Sequence, residues 1–225
     1  QDESEMTGTT TSRTTRLALL CVALSVVALA GCNRATLRIP GASTELAPQS
    51  IRHTARHSIG RPVVVAMPSD NRAQHLGRSI AGTDWTACTT DSLTPEQATL
   101  VVQRQLETAL RDSKVFLSVA PQSTSAREMT LETEVMALCS QVRGFLIARG
   151  AGIAALRLSL KDGARTVFQR TISRVVTDDQ PEYAGAQVTT VEQVMRTLMS
   201  DSLREISRQL VLQLDEAAPT LKIDP

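Results

Sequence analysis

Aromatic residues are nearly absent from this chain: Trp85, Tyr183, Phe116, Phe145 and Phe168 are all it has in 225 residues. That scarcity argues against base-stacking platforms and aromatic sugar clefts, which need several rings on one surface. An excess of one charge is also lacking. Lys and Arg number 24 against 23 Asp and Glu, a formal net charge of +1, so there is no basic footprint for nucleic acid and no nucleic-acid partner is expected. A phosphate-cradling glycine loop, a Gly-x-Ser-x-Gly elbow and zinc-ligand spacing are missing too. Gly150-Ala151-Gly152 precedes a strand pattern and reads as turn punctuation. These absences point away from an enzyme and call for no metal and no cofactor. Glu132 and Glu134 could form an acid–base pair, but the wet face of an alternating strand explains them without chemistry.

One long apolar run is present, at residues 17–32 (LALLCVALSVVALAGC), with Arg13 and Arg16 just before it. About 14 apolar residues fall short of the roughly 20 that cross a bilayer as a helix, and Asn33-Arg34 follow at once. A basic flank, an apolar core of this length and a small-residue end are the parts of a secretory signal. The Leu29-Ala30-Gly31-Cys32 ending resembles the lipobox of bacterial lipoproteins. That resemblance implies diacylglycerylation of the Cys32 thiol, cleavage before it, and acylation of the new amino terminus, palmitate included. Residues 1–31 are then a signal peptide, and Cys21 leaves with it. Gln1 to Glu5 are acidic, unlike a signal's start, so Met6 reads as the initiator. Each buried CH₂ contributes about 0.8 kcal/mol, so three chains hold permanently where one would not. Asn33 stands where enteric lipoproteins kept in the inner membrane carry Asp. The resemblance therefore implies an outer-membrane anchor facing the periplasm.

From Cys32 onward about 194 residues remain, enough for one domain and a tether. Residues 32–60 hold Pro40, Gly41 and Pro48 without a sustained period, and read as the lipidated tether. His53 and His57 stand four apart, but Arg52 and Arg56 surround them, which favours a solvated basic linker over a metal site. Residues 61–217 read as a single domain and 218–225 as a fraying tail. The run RPVVVAM at 61–67 is a buried strand entered through Pro62. Residues 69–93 form a long polar loop. A loop of this length is either functional or, the preferred reading here, surface chain pinned by Trp85.

Thr94-Pro95-Glu96-Gln97 opens a helix with a capping box. Ala98, Val101, Val102, Leu106, Ala109 and Leu110 then lie on one stripe, and a strand over 115–120 follows. From Met129 the period becomes two, giving strands over 129–142, 153–161 and 165–177 in an antiparallel meander. Thr189 with Glu192 makes a second capping box, ahead of a long helix whose stripe runs from Val191 through Met195, Met199 and Leu203 to Leu214. Met195 and Met199 read as core filler.

The order β-α-β-β-β-β-α is an α+β fold: a mixed sheet of about five strands with two helices packed on one face. The opposite face, taken to carry Thr130, Glu132, Glu134, Arg157, Arg170 and Arg174, meets water or a partner. It is a candidate binding surface together with Trp85. After lipidation Cys88 and Cys139 remain. An oxidising compartment favours a disulfide between them over two separate buried thiols.

A lipobox, a tether, a Val-rich strand ending in Pro68, a loop bearing Trp85 and then helix, strand, meander and helix resemble the ABC-type transport auxiliary lipoproteins. LPS-assembly lipoproteins and small uncharacterised outer-membrane lipoproteins have a similar layout, and Ser69-Asp70-Asn71-Arg72 with Leu76-Gly77 resembles the last of these. The resemblance implies a non-enzymatic, lipid-anchored periplasmic subunit whose partners are envelope transport proteins. Two alternatives stand beside it: a lipoprotein that activates or scaffolds cell-wall synthesis, and one that binds a lipid. The oligomeric state stays open, a homo-oligomer included.

Overall fold

The computed structural model describes residues 46–88, 93–120, 128–143, 149–178 and 188–221. Cys32, the signal stretch and the last residues, 222–225, lie outside the described residues. The elements are β1 (Val63–Val65), β2 (Ser69–Asp70), α1 (Arg72–His75), α2 (Pro95–Ser113), β3 (Val119–Ala120), β4 (Met129–Arg143), β5 (Arg149–Asp162), β6 (Arg165–Asp178) and α3 (Val188–Ala217), closed by a 3-10 turn (Ala218–Thr220). The sheet is six-stranded and mixed, in the order β3-β1-β4-β5-β6, with β2 beside β4. β1 runs parallel to β3 and β4, and β4, β5 and β6 form the antiparallel meander.

The capping box before α2 forms as its sequence requires. The Thr94 hydroxyl accepts from the Gln97 amide at 3.3 Å, and Gln97 Oε1 accepts from the Thr94 amide at 2.9 Å. Lys114 ends the helix in the left-handed region, φ 58°. α3 already includes Val188, so Thr189 stands within the helix rather than ahead of it, and the side chains of the second expected box, Thr189 and Glu192, lie outside the described residues. The strand expected over 115–120 shrinks to Val119–Ala120. Val115 and Phe116 are buried instead, and Phe116 makes an isolated bridge to Ile59.

The two long helices, α2 and α3, pack on one sheet face. Val102, Leu106 and Leu110 of α2 and Met199, Ile206, Leu210 and Leu214 of α3 share a core with Val63, Leu131, Leu156, Leu158 and Leu160. A bulge at Met136 then shifts the phase of β4. Before it, Leu131 and Val135 face the helices. After it Leu138 does, while Ala137 and Cys139 turn to the other side. There they join Ala151, Ile153 and Ala155 in a second, smaller core.

Gly150 and Gly152 are not turn residues. They lie within β5, where α3 crosses the sheet: a Cβ on Gly152 would overlap the Leu198 carbonyl. A glycine inside a strand marks such a close backbone approach.

Residues 46–60, read from sequence as tether, are held against the domain. Leu46, Ile51 and Ile59 are buried in the main core. Gln49 and Gln105 exchange backbone–side-chain hydrogen bonds at 2.7 and 2.8 Å. The amides of Arg56 and His57 donate to Asp215, near the end of α3, at 3.0 and 2.8 Å. Widely spaced apolar anchors have no period, so the segment's composition looks like linker although its contacts are core.

Candidate functional surface

The surface is built on β4 and β5, on the face away from α2 and α3. Before the Met136 bulge, Glu132 and Glu134 point there. On β5 the residues Arg157, Ser159 and Lys161 share that face, because they stand directly opposite Glu134, Glu132 and Thr130. Arg157 lies directly opposite Glu134, its Nη1 2.7 Å from Oε2. Lys161 Nζ reaches diagonally to Glu132 Oε1 at 2.6 Å. The short α1 borders this row. From it His75 Nε2 approaches Glu134 Oε1 at 3.5 Å, and the Asn71 side chain also hydrogen-bonds Glu134. The Asn71 bond first, then the positive charge of Arg157 and the His75 contact, hold the Glu134 carboxyl below the usual range against its partial burial. Glu134 is therefore held as a carboxylate and is not poised as a general acid. An ordered row of alternating charge, partly open to water, suits recognition of a complementary polar surface.

What places α1 here is Arg72, fully buried and paired with Asp70 at 2.8 Å. Its guanidinium also donates to the carbonyls of Leu93 at 3.0 Å, Thr94 at 3.3 Å and Leu138 at 3.4 Å. One cation thus joins the start of the long loop, its end, and the centre of β4. Burial alone would raise Asp70; the hydrogen bonds from Arg72 and its charge outweigh that and lower it.

The candidate residues do not all come together. Glu132, Glu134 and Arg157 share one row, as expected. Arg170 and Arg174 do not join them. Opposite residues in an antiparallel pair share a face, and these two stand across from Leu158 and Ala154 of the helix-facing set. Phe168 and Ile172, which bury under α3, carry the arginines to their own side of the strand. Arg174 accordingly approaches Glu205 of α3 at 4.0 Å, and Arg170 lies over the Phe168 ring at 5.6 Å. Trp85 is not offered to a partner either. It is 5% exposed and packs with Ile80, Ala87 and Cys88 over Ala137, Cys139 and Ile153. The loop is pinned by its tryptophan, and half of the face expected to be wet is covered.

Cys88 and Cys139 are bonded, with Cα atoms 6.2 Å apart, which ties the loop to β4 beside Trp85. His53 and His57 are not simply solvated: both approach Asp215, at 3.6 and 3.1 Å. The amide of Arg56 above all, then the amide and ring of His57, hold the Asp215 carboxyl below its ordinary value, although burial opposes them. Among the described residues no group of three or more His, Cys, Asp or Glu is arranged to hold a metal, and no helix is long and apolar enough to cross a membrane. Asn71, His75 and Lys161 belong to the surface but escape sequence reading. The available signal was the i, i+4 spacing of Asn71 and His75, and the shared parity of Arg157 and Lys161.

No family model matches the sequence, and no curated protein matches it. Some solved structures are similar to it at low identity. A Xanthomonas campestris protein of the family DUF330 is similar at 18% identity over 77% of this chain and 96% of its own, with a TM-score of 0.48. A minor lipoprotein from Acinetobacter baumannii is similar at 12% identity over 71% and 93%, TM-score 0.42. A PelC dodecamer from Paraburkholderia phytofirmans is similar at 11% identity over 69% and 93%, TM-score 0.35. Likenesses this distant carry no function across, so the chemistry of the surface has to do so.

Proposed function

We propose that this chain is a non-enzymatic lipoprotein of the bacterial envelope, anchored to the outer membrane through Cys32, and that its domain docks a component of an ABC-type transport system in the periplasm. The observation that carries the reading is the row Glu132, Glu134, Arg157, Lys161 and His75. It is charged, ordered by mutual contacts, and partly open to solvent beside a covered second core. Such rows favour partner choice and encounter rate more than raw affinity. Two features support the compartment. The run ending in Cys32 has the parts of a lipoprotein signal, and the Cys88–Cys139 bond suits an oxidising space.

Affinity capture from detergent-solubilised envelopes tests it, using the full chain and its E132K/E134K/R157E variant. Wild type is expected to recover a permease or substrate-binding protein, and the variant to lose it. Capture that the variant leaves unchanged removes this face from the account. A transpeptidase as the main partner would replace transport with cell-wall synthesis, and a copurifying lipid would replace docking with lipid carriage.

A further inference from the structure

The outer side of β6 is an unusual feature to leave exposed. It is the last strand of the sheet order, it is 14 residues long, and no described strand pairs with the edge it turns away from β5. It contains no lysine and no proline, two residues with which proteins commonly blunt such edges. In a strand, carbonyls of alternate residues point to alternate sides. Asp162 and Arg165 flank a two-residue turn and face each other, and the register shift before Phe168 leaves Gln169, Thr171, Ser173 and Val175 directed away from β5.

Two of those outward carbonyls are already taken. Arg170 Nη1 donates to the Gln169 carbonyl at 3.1 Å, and Arg174 Nη1 to the Ser173 carbonyl at 2.8 Å. Each guanidinium is fixed from a second side, Arg170 over the Phe168 ring at 5.6 Å and Arg174 near Glu205 at 4.0 Å. The spacing of four residues is two strand repeats, so the pair occupies alternate outward carbonyls along the middle of the edge.

We propose that the β6 edge is a latent pairing surface for a second copy of this chain, and that Arg170 and Arg174 keep it closed. Strand sequence explains why a second copy is the occupant at risk. When β6 pairs antiparallel with itself about Ile172, Ile172 meets Ile172, Phe168 meets Val176, and Thr171 meets Ser173. That apolar-matched register also sets Arg170 against Arg174 of the other copy, twice. Like charges directly opposite disfavour a cross-strand pair. The arginines therefore act in two ways: they occupy the carbonyls, and they repel in the register that would otherwise fit best. The proposal concerns this edge alone and does not depend on the docking role of the opposite surface.

The test compares the full chain in detergent micelles with its R170T/R174T and R170K/R174K variants, by sedimentation velocity and by amide exchange resolved along β6. Threonine suits a strand and removes both cations. R170T/R174T is expected to show a dimer that grows with protein concentration, with slowed exchange at the Gln169, Thr171, Ser173 and Val175 amides. R170K/R174K, which retains both charges, is expected to sediment as wild type. Three results would overturn the proposal: R170T/R174T sedimenting as wild type, association without slowed exchange at those four amides, or concentration-dependent protection of them in the wild type. Unfolding of R170T/R174T would be seen as fast exchange throughout β5 and α3. In that case R170Q/R174Q, which keeps the side-chain length, must give the dimer or the proposal fails.

Discussion

Substituting Gly152 with alanine should harm the fold far more than the same change two residues earlier. At Gly152 the new methyl overlaps main-chain atoms of α3, the Leu198 carbonyl and the Met199 nitrogen. Neither can rotate away. The helix must lift from the sheet along a contact that buries Met195, Leu198 and Met199. To restore ordinary contact it must move by roughly 1 Å, and overpacking a tight site in this way costs about 1–3 kcal/mol, sometimes more. At Gly150 the methyl meets the tip of Met195 and, at 3.0 Å, the Leu198 Cδ1. A thioether with three rotatable bonds adapts, so the cost there should be about 1 kcal/mol or less. Urea unfolding of the two variants against wild type, followed by far-UV circular dichroism, gives both numbers. G152A is expected to lose about 1–2 kcal/mol more than G150A. Equal midpoints, or a G150A variant that is the less stable, would refute the claim that backbone-to-backbone contact sets the seating of α3.

Three further perturbations address the same framework. Reducing the Cys88–Cys139 bond, whose ends are 51 residues apart, should lower stability by about 4 kcal/mol on the chain-entropy account; the C88S/C139S variant in urea checks this. Arg72→Met should cost about 3–5 kcal/mol, because it strands Asp70 and the Leu93 and Thr94 carbonyls, whereas Glu132→Gln on the open row should cost less than about 1 kcal/mol. Asp215 is lowered in the fold, so its contribution is complete above the unfolded carboxyl value of about 3.9 and is lost as pH falls through the lower folded value. Amide exchange at Arg56 and His57 should therefore stay slow, relative to the intrinsic rate, through the ordinary carboxyl range and become fast only as pH falls through the lower folded value. In D215N that acid-triggered release should disappear.

Much of the architecture is written in periodicity. The capping residues Thr94 and Gln97, the stripe of α2, the alternation after Met129 and the stripe of α3 each state locally what the fold then uses. The parts that were not legible depend on phase and distance. One extra residue at Met136 exchanges the faces of β4, and no alternation pattern announces which residue will be skipped. The apolar partners of Arg170 and Arg174 within β6 decide their side, yet a reading by polarity alone assigns them to water. Arg72 looks like any loop arginine, since its three carbonyl partners lie 21 to 66 residues away. Leu46, Ile51 and Ile59 anchor a segment whose composition is that of a linker. The charged row was half legible for the same reason: Glu132, Glu134 and Arg157 follow from strand parity, while His75 reaches Glu134 only because Arg72 seats α1 beside β4.

The account depends most on the chain being held at the envelope by acyl groups on one thiol. Intact-mass analysis of protein extracted from native membranes measures this directly. The account predicts a chain that begins at Cys32 and carries the mass of a diacylglyceryl group and one further acyl chain. An unprocessed chain without that added mass, recovered from the cytosol, would contradict it.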